Sequence, residues 1–550
     1  MNKNLKILFP VLIAISIAFG ILLGAKIQKR VQPGYNHIPA TVFQSDKLSL
    51  FLRLIEKDYV DSIDKNKMIE EIIPEILEKL DPHTSYIPAS EMQGVTEEMR
   101  GNFSGIGVQF VMQNDTVMIV DVVSGGPSKS LGIMAGDRIV KVNSVNIAGI
   151  GLKSDSIVSL LRGKKGTKVN VSIYRPGFND LFEFEIVRGE IPLFSVDVAY
   201  MITDQIGLIK VNRFAETTHR EFVKGIKNLE NEGAKKLIID LRGNSGGYLQ
   251  AVFQMVDEFL PAKQLIVYTQ GKSRARYDYL STDNGLWKDK EVLVLIDEFS
   301  ASASEIFAGA IQDNDRGLIV GRRSFGKGLV QEQIPFYDGS ALRLTVARFY
   351  TPSGRSIQKS YEKGNEAYSM DYHNRILHNE LSQKDSIHFD DSLKYFTSGG
   401  RVVYGGGGIM PDFFVPVDTA GYNEFYASVI RKNLVYYYAF DYSDKNRSTL
   451  NQLGDVWKIK KYLNDENVFE EFLKHVRKNG VNYSTTQLKE SRSTMKAQLY
   501  AYVCRNILGD QGFYPIIFEI DHAVLKSVEL LQKEVWTSSA IVKIDKQIGN

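Results

Sequence analysis

The chain has 550 residues, which exceeds what one hydrophobic core ordinarily serves, so several domains are expected. Apolar residues make up 43% and charged residues 24%, as in a folded protein, and a net charge of only +2 argues against nucleic acid as a main partner. A single cysteine, Cys504, excludes an intramolecular disulfide and any multi-cysteine metal centre.

The N-terminal segment is typical of a membrane anchor. An almost uninterrupted apolar run covers residues 7–25, with basic residues on both sides of it. At ~1.5 Å per residue the run extends roughly 28 Å, about the thickness of the hydrocarbon core of a bilayer. The run is longer than the core of a signal peptide and ends at Gly24, Ala25 and Lys26, so an uncleaved anchor is favoured. The flanking charges leave the orientation open.

The remaining chain divides by its periodicity. Apolar positions recur every three to four residues between 46 and 80, which predicts two amphipathic helices after a polar linker at 31–45. Residues 103–188 predict short β-strands, at 107–111, 117–123, 138–142, 168–174 and 181–187. Residues 191–350 alternate helical stretches with strand-like runs, an α/β signature, at 206–211, 236–241, 292–296, 318–320 and 341–350. Residues 355–400 predict a long polar surface excursion, and the chain beyond 416 has helical periodicity.

A serine-rich segment, S-A-S-A-S-E at 300–305, follows the apolar run at 292–296 and opens a predicted helix. Small residues around Ser302 let a peptide backbone approach. A hydroxyl at a helix N-terminus also lies beside free N–H groups that can stabilise an oxyanion. Taken alone, the segment is better explained by Ser302 or Ser304 acting as a helix cap.

A glycine turn, D-L-R-G-N-S-G-G-Y at 240–248, connects a predicted strand to a predicted helix. Such a turn exposes backbone N–H groups toward a developing negative charge. A tight turn with no ligand explains the same residues at least as well.

The segment from Gly321 to Lys327 satisfies G-x-x-x-x-G-K, the phosphate-loop pattern. Gly328 follows where Ser or Thr would bind Mg²⁺, and the next residues alternate like a strand, so ATP binding is disfavoured. The alternative role for Lys327 is general base. Burial among glycines and apolar groups, away from carboxylates, would lower its pKa from ~10.4. A lone lysine is by itself better explained as a solvated side chain.

Together and in this order, the three segments resemble the C-terminal processing (tail-specific) peptidases, whose nucleophile and base have the same separation of 25 residues. The resemblance implies Ser302 as nucleophile, Lys327 as base, Gln331 as the residue that orients the lysine amine, and the amides of Gly247 and Ala303 as the oxyanion hole. On a straight strand Lys327 and Gln331 would lie roughly 13 Å apart. A bend, placed at Gly328, is therefore expected.

Two further segments carry the resemblance. D-P-H-T-S-Y at 81–86 matches a signature near the start of these enzymes and accounts for His83. Residues 103–188 resemble a PDZ domain, with A-G-D-R-I-V-K-V-N at 135–143 as its central strand. Its carboxylate-binding loop would comprise Gly105, Ile106, Gly107 and Val108. A PDZ domain adds a peptide to its sheet as an extra strand and holds the terminal carboxylate on backbone N–H groups.

The resemblance implies an α/β multidomain fold: a crotonase-like α/β protease core, an inserted mainly-β PDZ domain, an N-terminal helical segment and a C-terminal α-rich domain. The predicted divisions are an anchor at 1–30, a linker and helical region at 31–100, the PDZ domain at 101–190, the protease core at 191–416 and a C-terminal domain without an assignable motif at 417–550.

The function expected from the resemblance is a serine endopeptidase that recognises exposed apolar C-terminal tails of envelope proteins. It would be anchored in the inner membrane with its catalytic part in the periplasm, and would need no metal, nucleotide or other cofactor. An adaptor protein and a homo-oligomer are both compatible with it. The alternative function is a catalytically inactive PDZ scaffold, which is disfavoured because Ser302 and Lys327 are both present at the family spacing.

Overall fold

The structure, a computed structural model, describes residues 47–113, 115–388 and 390–533, together with Ser16 and Gly20. The chain divides into two compact units, residues 1–75 and 76–550. The two predicted amphipathic helices are confirmed as α1 (Lys47–Asp58) and α2 (Lys65–Leu77). Across the described part of the chain, no helix has both the length and the hydropathy to cross a membrane. The predicted anchor at 7–25 lies outside the described residues apart from Ser16 and Gly20.

The first part of the second unit is a small β-rich body preceded by β1 (Ser85–Ile87) and α3 (Ala89–Arg100). Its strands and helices are β2 (Asn102–Gly105), β3 (Val108–Gln113), β4 (Thr116–Val122), α4 (Pro127–Ser130), β5 (Arg138–Val142), β6 (Val145–Asn146), α5 (Ser154–Leu161), β7 (Lys168–Tyr174), β8 (Phe182–Val187) and β9 (Gly189–Pro192). The strands are ordered β3-β4-β5-β7-β8, so β3 lies at the edge of the sheet. Strands β2 and β9 pair antiparallel where the chain enters and leaves this body.

The core that follows is an α/β unit with two sheets. Its elements are β10 (Val196–Met201), β11 (Ile206–Val211), α6 (Thr218–Asn231), β12 (Lys236–Asp240), α7 (Leu249–Asp257), β13 (Leu265–Gln270), β14 (Tyr277–Leu280), β15 (Glu291–Ile296), α8 (Ala303–Asp313), β16 (Leu318–Gly321), β17 (Leu329–Pro335) and β18 (Ala341–Tyr350). The main sheet is ordered β10-β11-β12-β15-β16 and is completed by β21 (Phe413–Phe414). All of its pairs except β10–β11 are parallel, which explains why β12, β15 and β16 read as continuous apolar runs.

Residues 361–404 form a segment with short elements of its own: α9 (Asn365–Ser369), α10 (Asp371–Leu377), two 3₁₀ turns (Lys384–Ser386 and Asp391–Leu393), β19 (Lys394–Phe396) and β20 (Val402–Tyr404). Most described residues of the segment are exposed, in line with the surface excursion predicted at 355–400, but the prediction that it is irregular is wrong because these short helices and strands form. Tyr368 and Arg375 are buried, because their polar atoms have partners in the core, as described below.

The C-terminal part of the chain is helical, as predicted. Its helices are α11 (Glu424–Arg431), α12 (Leu434–Lys445), α13 (Arg447–Leu453), α14 (Val456–Asp465), α15 (Val468–Lys478), α16 (Thr485–Leu508), α17 (Asp510–Phe518) and α18 (His522–Gln532). Helices α11 to α16 surround an apolar core of their own. Phe518 and Val524, from the last two helices, instead pack with Leu208 and Ile238 on one face of the main sheet. The last helices therefore cover the protease core.

Candidate active site

The site is built at the carboxyl ends of three neighbouring parallel strands. Asp240 of β12 pairs with Leu295 of β15, and Ile296 pairs with Gly321 of β16, so the three strands end side by side. The loops that leave them are the glycine turn, the serine-rich segment and the loop of residues 322–328, here called the lysine loop. Ligands of open α/β sheets bind at this edge. The sheet topology therefore gathers the three segments that the sequence singled out.

The glycine turn is tied to the serine-rich segment through Asn244, which is fully buried. The backbone carbonyl of Asn244 accepts hydrogen bonds from the amide of Ala301 (3.0 Å) and from the hydroxyl of Ser304 (2.8 Å). Its side chain donates to the carbonyl of Val211 (3.0 Å). The hydroxyl of Ser304 is thereby occupied in holding the two loops together.

Two glycines bring the turn against Ser302. Gly246 has φ 104°, and a Cβ there would lie 2.8 Å from the Cβ of Ser302. Gly247 has φ 141°, and a Cβ there would lie 2.1 Å from the carbonyl oxygen of Phe214. The bridge to Phe214 uses the carbonyl of Gly246 (3.0 Å) and the amide of Tyr248 (2.6 Å). That bridge leaves out the Gly247 amide, the predicted oxyanion donor.

Ser302 lies at the N-cap position of α8, with φ 54° and ψ −111°. A non-glycine residue in such a backbone conformation is strained, and strain of this kind clusters at functional sites. Its amide donates to the carboxylate of Glu305 at 2.8 Å. Ala303, the second predicted oxyanion donor, is the first residue of α8, where backbone N–H groups have no intrahelical acceptor.

Glu305 is the centre of the site, and reasoning from the sequence missed it. Its Oε2 accepts the amides of Ser302 and Lys327, each at 2.8 Å. Its Oε1 accepts the hydroxyl of Ser324 (2.5 Å) and the amide of Gly326 (2.7 Å). Burial raises the pKa of Glu305 to about 7, although all four hydrogen bonds oppose the shift. The S-x-x-E spacing of a capping box was the available signal.

The shared carboxylate oxygen brings the predicted nucleophile and base together. Because both amides donate to Oε2, the backbone nitrogens of Ser302 and Lys327 are no more than twice 2.8 Å apart. Burial lowers the pKa of Lys327, and the positive charge of Arg343 lowers it further. The expectation that this lysine lies away from carboxylates is wrong, since Glu305 and Asp81 act on its pKa in the opposite direction.

The chain after Lys327 continues as a strand, β17, which contradicts the phosphate-loop alternative. The predicted bend at Gly328 is replaced by a bulge further on, because the register between β17 and β18 shifts between Val330 and Gln331. A bulge of this kind re-aims the side chains that follow it. The amide nitrogen of Gln331 donates to the carbonyl of His83 at 2.7 Å, so the acceptor left on this side chain is its oxygen.

His83 borders the site. Its Nε2 lies 2.7 Å from the hydroxyl of Tyr368. Burial and the charge of Lys327 lower the pKa of His83 to about 4, so the ring is neutral at pH 7. The loop that carries His83 is held by Asp81, whose carboxylate accepts the amides of His83 (2.8 Å) and Thr84 (2.9 Å).

The predicted carboxylate-binding loop joins β2 to the edge strand β3. Gly105 ends β2, and Val108 starts β3, one residue later than predicted. Ile106 is buried, and its carbonyl accepts the amide (3.1 Å) and hydroxyl (2.6 Å) of Ser128. Gly107 has φ 78°. Ile106 shares an apolar cluster with Ile157 and Leu161 of α5. The edge strand β3 and helix α5 are the two elements between which a PDZ domain would bind a peptide.

Comparison with known proteins places this architecture in a class. Residues 205–364 match the model of peptidase family S41, and residues 104–186 match that of the PDZ domain. Residues 425–509 match a family of unknown function (DUF8443). An S41 core that carries a PDZ domain defines a serine-type peptidase.

The relatives give the particular family. The chain is 33% identical over 350 residues to carboxy-terminal processing protease CtpB of Bacillus subtilis, covering 62% of this chain and 72% of the relative. It is 37% identical over 311 residues to the carboxy-terminal-processing protease of Bartonella bacilliformis, covering 55% and 70%. A solved photosystem II D1 C-terminal processing protease is 25% identical with a TM-score of 0.32, over 56% of this chain and 88% of that one. The chain belongs to the carboxy-terminal processing proteases.

Proposed function

We propose that the protein is an endopeptidase of the cell envelope that uses Ser302 and Lys327 as a catalytic dyad. It would bind the exposed apolar C-terminal tails of envelope proteins on its PDZ domain and cleave the captured chain in the α/β core. The observation that carries the dyad is the carboxylate of Glu305, which accepts the backbone amides of both residues on one oxygen atom.

The chemistry follows from the surroundings of each group. Lys327 must be neutral to act as a base, and its burial together with the charge of Arg343 favours the neutral amine. The amine takes the proton of Ser302 as its Oγ attacks the scissile carbonyl, and the C–N bond then breaks as the lysine returns this proton to the leaving amine. Water then attacks the acyl group as the lysine takes its proton, and the ester bond breaks as the lysine returns this proton to the Oγ of Ser302.

The oxyanion of each tetrahedral intermediate would bind the amides of Gly247 and Ala303. Two features support this role: the Phe214 bridge bypasses the Gly247 amide, and Ala303 begins a helix. Such preorganised donors stabilise developing negative charge without reorganisation. Gln331 would hold the lysine amine through its oxygen, since its nitrogen is engaged by the carbonyl of His83.

The recognition step would take place at the edge strand β3. A tail would pair with β3, its last side chain would lie near Ile157 of α5, and its carboxylate would bind the loop of Gly105, Ile106, Gly107 and Val108. A polypeptide substrate with a free C-terminus is the ligand that this arrangement fits. An unstructured tail suits it because the peptide must be extended to join the sheet.

The location is proposed from the sequence. The apolar run at 7–25 would anchor the chain in the inner membrane, uncleaved, and residues 31–550 would lie in the periplasm. Cell fractionation followed by protease treatment of spheroplasts tests this. The full chain should sediment with membranes and be degraded from outside, and a soluble cytoplasmic pool that resists the protease would contradict it.

Tail recognition is tested with the purified full chain in mild detergent and an unfolded protein that ends in an apolar tail. Amidation of the substrate's C-terminal carboxylate should lower its affinity and its cleavage rate about tenfold or more, because the charge-assisted contacts to the loop are lost. Equal cleavage of both forms would contradict PDZ capture. Binding without any cleavage would support the inactive scaffold instead.

A further inference from the structure

A buried arginine, Arg375, lies against the lysine loop, and it belongs to the segment at 361–404. The match to the peptidase family ends at residue 364, so α9 and α10 lie beyond it. Polar residues of a surface excursion would be solvated. Arg375 is instead only 3% exposed, and a buried guanidinium needs acceptors for its donors.

The acceptors of Arg375 are three consecutive backbone carbonyls. Its Nη1 donates to the carbonyls of Arg323 (3.2 Å) and Ser324 (2.9 Å), and its Nη2 donates to that of Phe325 (3.2 Å). These residues lead directly into Gly326 and Lys327. The carboxylate of Asp371, one turn earlier on α10, lies 3.0 Å from the Nε of Arg375 and forms an ion pair with the guanidinium.

The lysine loop is therefore held from two sides. Glu305 accepts the hydroxyl of Ser324 and the amides of Gly326 and Lys327, whereas Arg375 donates to carbonyls of the same loop. A loop fixed through its donors and its acceptors has little freedom to rotate its peptide planes. The position of Lys327 relative to Ser302 depends on those planes.

The segment that carries Arg375 is itself docked beside the site. The Nζ of Lys359 lies 3.9 Å from the ring centre of Phe325 and 4.1 Å from that of Tyr368, and it pairs with Asp371 at 3.0 Å. Tyr368 also contacts His83, whose backbone carbonyl accepts a hydrogen bond from the side-chain nitrogen of Gln331. Because of these contacts, a displacement of α9 or α10 would also displace the lysine loop.

We propose that Arg375 is a positioning residue of the peptidase reaction, which holds the carbonyls of residues 323–325 and thereby keeps Lys327 placed for proton transfer with Ser302. The proposal rests on the proposed dyad. Arg375 acts through the backbone of the lysine loop, so its loss should reduce the rate of the chemical step and leave substrate capture unchanged.

The test compares Arg375→Met, Arg375→Lys and a matched control, Arg401→Met, in the full chain. Arg401 lies in the same segment and is 5% exposed, but it donates to the carboxylates of Asp315 and Asp412 (2.6 Å each) and to the carbonyl of Gln312 (2.9 Å), away from the lysine loop. The readouts are the thermal midpoint, the fraction of sites labelled by a serine-reactive fluorophosphonate, and kcat and KM on a fluorescence-quenched peptide with an apolar tail.

Arg375→Met should lower kcat per folded molecule by about 100-fold with KM within about threefold, as expected when a catalytic group is misplaced by about 1 Å. Arg375→Lys should recover part of kcat, because one ammonium cannot serve all three carbonyls. Arg401→Met should lower the thermal midpoint but keep kcat within about threefold of the wild type.

Activity of Arg375→Met that falls only with its folded fraction, or a rise in KM alone, would overturn the proposal. If Arg375→Met does not fold, an unchanged kcat in Arg375→Lys overturns it equally. Full cleavage by Lys327→Ala would instead refute the dyad, and that outcome is independent of the kcat measured for the Arg375 variants.

Discussion

Replacing Glu305 by Gln tests whether one buried carboxylate organises the site. The substitution keeps the shape of the side chain and removes its charge. One amide oxygen can still accept the amides of Ser302 and Lys327, while the new NH₂ group faces Ser324 and Gly326. The hydroxyl of Ser324 can rotate to accept, but the Gly326 amide cannot, so one buried donor loses its partner at a penalty of about 1–3 kcal/mol.

The charge adds a dependence on pH that the variant lacks. The pKa of Glu305 rises from 4.5 to about 7 on folding, so the native state binds more protons than the unfolded state between these values. Its contribution to stability is present below pH 4.5 and is lost as pH rises through 7. The size of the shift corresponds to about 3 kcal/mol. The free energy of unfolding of the variant, relative to that of the wild type, should therefore increase by about 3 kcal/mol between pH 4 and pH 8.

The assay is urea unfolding of both full-length proteins at four pH values from 4 to 8, followed by tryptophan fluorescence, with Trp287 fully buried in the protease core. All other titrating groups are shared, so the difference between the two curves isolates Glu305. A difference that is constant with pH would refute the reasoning, because it would mean that Glu305 keeps an ordinary pKa in the folded protein.

Two further substitutions test the electrostatics and the shape of the site. Arg343→Gln removes a positive charge that lowers the pKa of Lys327, so the acidic limb of the pH–rate profile should move to higher pH. The rate at the high-pH plateau should stay within about twofold of the wild-type rate. An acidic limb that does not move would contradict Lys327 as the base. Gly246→Ala should lower kcat/KM about 100-fold, because the new Cβ would lie 2.8 Å from Ser302 Cβ and displace it. Gly243→Ala is the matched control in the same turn, because Gly243 has φ 74° but a Cβ there would have no atom within 4 Å. It should lower the free energy of unfolding by about 1 kcal/mol and leave kcat/KM nearly unchanged. Equal losses of activity in both variants would refute the steric argument.

The sequence allowed the parallel strands and the three loops to be predicted, because buried strands are continuous apolar runs and glycine turns have a distinct composition. The strand at 206–211 was predicted with its observed bounds as β11, and that at 292–296 falls within β15. The pairing of β12, β15 and β16 then brings the loops together. The catalytic roles assigned to Ser302, Lys327, Gln331, Gly247 and Ala303, and the peptide-binding role of the PDZ loop, stay predictions, as do the domain boundaries.

The features that could not be predicted are buried polar groups whose hydrogen-bond partners are supplied by one another in the folded chain. Glu305 was missed because the partners of its carboxylate are distant in sequence: it accepts the backbone amide of Lys327, 22 residues away along the chain. Arg375 was expected to be solvated, because a hydropathy pattern does not show that a guanidinium donates hydrogen bonds to backbone carbonyls. The bulge at Val330 and Gln331 likewise depends on how β17 pairs with β18. The periodicity of one strand carries no information about the register of its partner.

The most direct test of the dyad compares the wild-type full chain with Ser302→Ala and Lys327→Ala, cleaving one unfolded protein that ends in an apolar tail. Both variants should bind the tail with wild-type affinity and fold with wild-type cooperativity. Each should cleave at a rate lower by about 10⁴-fold or more, and the double variant should be no slower than either, because the two residues act as one unit. Undiminished cleavage by either single variant would contradict the Ser–Lys mechanism.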